Sequence, residues 1–109
     1  MHSIHTKEEI ALSHYERLYD EVEQSQVRYI GFTSETNRYD FGIVYTNMFF
    51  GKTLVVDMQT GRSALLCEND VDNVEYLQKL YNIDDYQEAE GLADFFKGII
   101  PALPQGNQY

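Results

Sequence analysis

Residues 39–67, YDFGIVYTNMFFGKTLVVDMQTGRSALLC, decide the fold because apolar and aromatic side chains alternate along them between turn-forming residues. Gly51-Lys52 and the run 59–62 are typical of tight reversals, so the stretch predicts three strands. In the longest strand, alternation separates two sets of side chains, which are Phe41, Ile43, Tyr45 and Phe49 on one face and Val44, Met48 and Phe50 on the other. Because neither set is polar, the sequence predicts an antiparallel meander that is buried on both faces, in part by a partner.

Before this stretch, the sequence predicts one more strand and one helix. Residues 26–33 alternate in the same way and form the first strand. Thr6 and Glu9 form a capping box, which begins a helix that runs to about Glu23. The apolar stripe of this helix consists of Ala11, Leu12, Tyr15, Leu18, Tyr19 and Val22. The stripe predicts that the helix packs on the sheet.

Two helices are predicted after the sheet. Asn69 or Asp70 caps the first, in which apolar residues recur at helical spacing. Asp85 and Glu88 form a second capping box, which begins a last helix that ends before Pro101. The predicted order is therefore α-β-β-β-β-α-α, an α+β fold with an antiparallel four-stranded meander.

Length and composition predict a single α+β domain over residues 1–100, followed by a flexible tail over residues 101–109. Nine Tyr and six Phe supply enough apolar area for a folded core. The sequence shows no segment with the apolar length of a signal peptide or the roughly 20 apolar residues that span a bilayer. These features predict a cytoplasmic protein without a membrane partner, and the single cysteine, which leaves no intramolecular disulfide, agrees with a reducing compartment.

The net charge of −10 is divided unevenly along the chain. Residues 1–62 carry −3, whereas residues 63–109 carry −7. An acidic field repels phosphate backbones, so the sequence disfavours nucleic acid as a partner.

Three predicted helices suffice to cover one face of a four-stranded sheet, but the other face also carries bulky apolar residues. Left exposed, such a face would form a larger apolar patch than monomers usually carry. Homodimerisation through this face is the favoured prediction. In the alternative, the helices divide between the two faces and no partner is needed.

Three runs of the sequence resemble a known family. They are RYIGFTSETNRYDFGIVYTNMFFGKTLVV, QTGRSALL and EYLQKLYNI, and the continuous segments YDFGIVYTNMFFGK and MQTGRSALL carry most of the resemblance. The runs resemble a family of small Firmicutes proteins catalogued as a domain of unknown function, over residues 15–100. The resemblance implies a single-domain cytoplasmic protein and transfers no activity, ligand or catalytic residue.

Cys67 is the strongest candidate for chemistry, because it is predicted to follow the last strand and precede a helix. A helix N-terminus lowers the pKa of a thiol. A thiolate enzyme also needs a base, and the histidines of the chain are His2, His5 and His14, all near its start. A small buried hydrophobe at a strand end explains Cys67 better.

Asp57 interrupts the apolar run of the third strand and needs a cation or hydrogen-bond donors. Arg28 or Arg62 could supply the cation. A carboxyl with a displaced pKa beside an arginine could take part in catalysis, but a structural ion pair is the more common arrangement.

The second hairpin offers a possible binding surface. Its candidate residues are Tyr45, Asn47, Phe49, Phe50 and Lys52. Aromatic and amide groups on a sheet can stack on and read nucleobases, with Lys52 and Arg62 contacting phosphate. Aromatic side chains are also typical of dimer interfaces, and this interpretation is favoured because the acidic composition opposes nucleic-acid binding.

The favoured hypothesis from the sequence is a non-enzymatic, homodimeric interaction or regulatory protein that offers a surface to a protein partner. The alternative is a small-ligand-binding protein or enzyme, with a site on the sheet near Tyr45, Asp57, Arg62 and Cys67. A single-stranded nucleic-acid binder is the third hypothesis. The sequence predicts no cofactor and no metal site.

Overall fold

A computed structural model describes residues 14–101. Its centre is an antiparallel sheet of four strands in the order β1-β2-β3-β4. The strands are β1 (Gln26–Thr33), β2 (Arg38–Tyr45), β3 (Thr53–Asp57) and β4 (Ser63–Leu66). The predicted meander is confirmed, because each strand pairs with the next one in sequence.

Three helices follow the sheet, α1 (Glu68–Val71), α2 (Val74–Tyr81) and α3 (Tyr86–Lys97). The sequence predicts one helix where α1 and α2 lie. The helix is interrupted because the Asn73 side chain accepts a hydrogen bond from the Tyr76 backbone N–H at 3.0 Å and so caps a new helix. Asn82 ends α2 in the left-handed conformation, with φ 57°. Asp85 caps α3, as its position predicts.

The three helices pack on one face of the sheet. Phe41 on β2 lies at the centre of the resulting core, with its ring centroid 5.4 Å from that of Tyr81 and 5.3 Å from that of Phe96. The buried Tyr81 hydroxyl donates to the carbonyl of Val55 at 3.0 Å, which ties α2 to β3. Edge-to-face aromatic contacts and this hydrogen bond fix the helical layer on the sheet.

The predicted N-terminal helix is absent from the residues that the structure describes, so this prediction is wrong for residues 14–23. Residues 14–23 are not helical, and all of them are exposed. An isolated helix of this length is marginal in water without tertiary packing, and within the described residues the apolar stripe packs on no other element. Residues 6–13 of the predicted helix lie outside the described part of the chain, as do residues 102–109 of the predicted tail.

The second strand is shorter than predicted. It ends at Tyr45, and residues 48–51 form a turn in which Phe50 (φ 58°) and Gly51 (φ 80°) have positive φ. The backbone N–H of Lys52 closes this turn on the carbonyl of Phe49 at 3.1 Å. Phe49 and Phe50 therefore belong to a turn and do not lie on opposite faces of the sheet, which corrects that prediction.

Candidate interaction surface

The sheet face opposite the helices is apolar, and we call it the open face. Strand alternation and pairing assign seven apolar side chains to it, which are Val27, Tyr29, Val44, Leu54, Val56, Met58 and Leu65. Tyr29 is 71% exposed and Met58 is 53% exposed, whereas the residues on the central strands are half-buried by their neighbours. Within residues 14–101, no helix lies on this face.

One row of the open face crosses all four strands without a polar residue. In the pairing register, Val27 lies opposite Val44, Val44 opposite Leu54, and Leu54 opposite Leu65. Cross-strand neighbours of this kind contact each other and form a continuous apolar ridge. A sheet face that is exposed to water usually carries polar side chains, so a wholly apolar row indicates a face suited to packing against another surface.

Gly42 has no side chain, which leaves room for two larger side chains to pack over the middle of the open face. A Cβ atom on Gly42 would lie 3.3 Å from the Met58 sulfur and 3.6 Å from the Tyr29 ring. Met58 and Tyr29 thus fill the space above Gly42 and extend the ridge toward the β1–β2 turn. A shallow depression of about 420 Å³ lies beside them.

Two polar side chains, Asp40 and Gln59, border the depression. The Asp40 carboxylate accepts a hydrogen bond from the Gln59 side chain at 2.7 Å and pairs with Arg38 at 3.1 Å. The hydrogen bond from Gln59, followed by that from Arg38, lowers the pKa of Asp40, so this carboxylate stays charged. The open face therefore has an apolar centre and a charged, hydrogen-bonded edge, which is the usual anatomy of a protein interface.

The residues predicted to form a binding surface on the second hairpin do not lie on one face. The Tyr45 hydroxyl donates to the carbonyl of Ile99 at 3.1 Å, so this side chain lies against the helical layer. Beyond β2, the exposed residues are Asn47 and, in the turn that follows it, Phe49 and Phe50. Lys52 is half-buried just before β3. Tyr45 and the exposed turn residues thus lie in different environments.

Asp57, Arg62 and Cys67 are divided between the two ends of β3. Asp57 is 5% exposed, and its carboxylate accepts a hydrogen bond from the Gln59 backbone N–H at 3.0 Å. Its backbone N–H donates to the carbonyl of Arg62 at 2.8 Å. Within residues 14–101, neither Arg62 nor Arg28 forms an ion pair with Asp57, and the local backbone hydrogen bond takes the place of that predicted pair.

Cys67 lies at the other end of β3, because its neighbour Leu66 pairs with Thr53. Four residues of strand, about 13 Å, separate that end from Asp57. The thiol is buried, and the Cys67 backbone N–H donates to the Asp70 carboxylate at 2.9 Å. The structure does not bring Asp57, Arg62 and Cys67 together in one pocket.

Sequence reasoning missed a carboxylate that clamps the β1–β2 turn to α3. The Glu88 carboxylate accepts hydrogen bonds from Ser34 at 3.1 Å, Thr36 at 3.3 Å, Asn37 at 3.0 Å and the Tyr39 hydroxyl. The bond from Tyr39 is the largest cause of a lowered pKa for Glu88. The capping-box spacing assigned Glu88 to its own helix, and only the tertiary contact shows its partners.

Sequence reasoning also missed the residue that holds the N-terminal segment. We call residues 14–25 the arm. The Glu23 carboxylate accepts hydrogen bonds from the Thr46 hydroxyl and from the Asn47 backbone N–H, both at 2.6 Å. The bond from Thr46, followed by that from Asn47, lowers the pKa of Glu23. Glu23 thus anchors the arm at the end of β2.

The described residues offer little for other kinds of site. Among residues 14–101, no group of three His, Cys, Asp or Glu side chains is placed to hold a metal ion. No helix in the same range is long and apolar enough to cross a membrane.

Comparison with known protein families places the chain in one of them. A family model described as SAV0927-like matches residues 18–98, from within the arm to the end of α3. None of the curated proteins compared with the chain matches it.

Proposed function

Since the chain belongs to the SAV0927-like family, small bacterial proteins of unknown function, its own surfaces must indicate its role. We propose that it is a homodimeric interaction protein that self-associates through the open face. One observation carries the proposal: the apolar row from Val27 to Leu65 crosses the whole sheet, and no helix of the described chain covers it.

Charge supports a second copy as the occupant of this face. Residues 63–109, which include the whole helical layer, carry −7 of the net −10, so two helical layers repel each other. The charged residues that strand alternation places on the open face are Arg38 and Asp40, whose charges cancel. Two copies therefore approach with least repulsion through their open faces. A dimer related by a two-fold axis is also the commonest kind of homo-oligomer.

Dimerisation in this way leaves two acidic helical layers on the outside. These layers are the surfaces with which the dimer would meet a protein partner, and their charge favours a partner with a basic patch. A regulatory or adaptor role follows from such an arrangement. The buried state of the single cysteine, Cys67, fits a reducing cytoplasm.

The two other hypotheses have less support from the geometry. A small-ligand or enzyme site needs Asp57 and Cys67 in one pocket, but they occupy opposite ends of β3. A nucleic-acid surface needs the aromatic residues of the second hairpin on one face, but Tyr45 packs toward the helices. The acidic charge also opposes phosphate binding.

The proposal predicts that Tyr29→Asp weakens self-association. Tyr29 is 71% exposed in the single chain, so the substitution costs the monomer little, but it places a charge in the centre of an apolar contact. We expect the dimer dissociation constant to rise by about tenfold or more, measured by sedimentation velocity over a series of concentrations.

Tyr86→Asp is the matched control, because Tyr86 is also exposed but lies on α3, on the helical side. It is expected to leave the dimer unchanged. A wild-type chain that stays monomeric at every concentration, or equal behaviour of the two variants, would contradict the proposal.

A further inference from the structure

The arm carries a second apolar surface that packs on nothing else within residues 14–101. Tyr15, Leu18, Tyr19 and Val22 are all exposed, Leu18 to 84% and Val22 to 96%. The same chain thus holds two uncovered apolar surfaces, the arm and the open face. We propose that the arm of one copy docks on the open face of a second copy, and that the exchange is reciprocal. This inference rests on the proposed function and names the element that forms the dimer contact.

The spacing of the arm residues fits the open face. Positions 15, 18, 19 and 22 fall on one side of a helix, at i, i+3, i+4 and i+7. From the first to the last, such a stripe is about 11 Å long, at 1.5 Å per residue. The apolar row across four strands is about 14 Å long, at 4.8 Å per strand. A single short helix would therefore cover the row from one side of the sheet to the other.

Docking supplies the packing surface that a helix in the arm needs to be stable. The stripe predicts a helix, and residues 14–23 are not helical in the single chain. A short amphipathic segment gains helical structure when an apolar surface receives it, because burial of the stripe offsets the entropy of ordering the backbone. The arm therefore has the spacing of an amphipathic helix because it becomes helical on the open face of another copy.

The Glu23 anchor favours a second copy over the chain's own sheet. With both hydrogen bonds of Glu23 in place, Val22 beside it is almost fully exposed, and Tyr29 on the open face is also exposed. The anchored arm therefore does not lie on its own sheet. Exchange between copies covers both surfaces and keeps the anchor intact.

Charge also favours the contact. The arm carries −3, from four acidic residues against Arg17, whereas the Arg38 and Asp40 charges of the open face cancel. The arm therefore meets less repulsion on the open face of a second copy than on its acidic helical layer.

The first test compares two charge-neutral pairs of substitutions in the arm of the full chain. Leu18→Ser/Val22→Ser removes half of the stripe and is expected to raise the dimer dissociation constant by about tenfold or more. Arg17→Ser/Glu21→Ser changes two exposed residues on the other side of the predicted helix and is expected to change it by less than about twofold. A dimer that Tyr29→Asp weakens but the arm pair does not would overturn the arm exchange and leave the proposed function standing.

The second test mixes two defective chains. Leu18→Ser/Val22→Ser has an impaired arm and an intact face, and Tyr29→Asp has the reverse. Each homodimer then has no intact contact, whereas a mixed dimer has one, so mixing is expected to yield heterodimers in preference to either homodimer. Direct packing of face on face would instead leave the arm-defective chain as the stronger homodimer, which would refute the exchange.

The third test separates exchange from folding back onto the same chain. A Leu18→Cys chain mixed with a Leu54→Cys chain is expected to give a disulfide-linked heterodimer under mild oxidation. In a Leu18→Cys/Leu54→Cys double variant, a disulfide within the monomer would overturn the exchange. Cys67 is buried and stays in all three chains.

Discussion

At the scale of single residues, one carboxylate joins parts of the chain that are far apart in sequence. Glu88 on α3 accepts four side-chain hydrogen bonds from residues 34–39, which include the turn between β1 and β2. Hydrogen bonds to a charged acceptor are stronger than neutral ones. Glu88 thus contributes to the position of the edge strand β1, and through it to the shape of the open face.

The Glu88 clamp predicts a specific pH dependence of stability. Because the folded pKa of Glu88 is lowered, chiefly by the Tyr39 hydroxyl, its contribution is present above the ordinary pKa of a glutamate and is lost as the pH falls through the lowered value. In Glu88→Gln, the part of the stability loss at acidic pH that comes from protonation of Glu88 is expected to disappear. Glu23 and Asp40 also have lowered pKa values, so the variant keeps a reduced dependence.

Urea unfolding between neutral and acidic pH measures the effect. At neutral pH, Glu88→Gln is expected to lower the free energy of unfolding by about 1–2 kcal/mol, since neutral hydrogen bonds replace charged ones. Glu90→Gln, an exposed neighbour on α3, is the control and should follow the wild type throughout. A Glu88→Gln chain with the full acid loss of the wild type would show that the clamp has no energetic role.

At the scale of elements, the α1–α2 junction depends on one cap. The Asn73 side chain accepts a hydrogen bond from the Tyr76 N–H, and α2 places Leu77 and Tyr81 in the core. Asn73→Ala is expected to lower the free energy of unfolding by about 1 kcal/mol, the usual loss for an N-cap. Asn69→Ala changes an exposed asparagine of α1 and serves as the control in the same thermal or urea measurement. Equal stabilities for the two variants would contradict the role of the cap.

The elements that sequence could predict are those that local signals determine. The meander follows from alternation and turn composition, and the start of α3 follows from Asp85. Local signals failed where a tertiary contact decides the outcome. Glu88 has capping-box spacing but binds the β1–β2 turn, and the arm has helical spacing but packs on no other part of residues 14–101. The divided positions of Asp57 and Cys67 depend on strand register, which sequence distances do not reveal.

At the scale of the whole molecule, overall charge opposes the association that the apolar face favours. Each copy carries −10, so two copies repel over long distances, whereas the Arg38 and Asp40 charges of the open face cancel. The repulsion is the larger electrostatic effect. Its main source is the helical layers, which lie on the outer sides of the proposed dimer, away from the contact.

This balance predicts how salt affects the dimer. At about 10 mM salt the screening length is about 30 Å, so the helical layers of the two copies repel each other, whereas at about 150 mM it is about 8 Å and most of that repulsion is screened. The dimer dissociation constant is therefore expected to fall several-fold between these conditions and to change little at higher salt, as sedimentation velocity would measure. An interface held by ion pairs would weaken over the same range. Weakening with salt would thus place the contact on a charged surface instead of the open face.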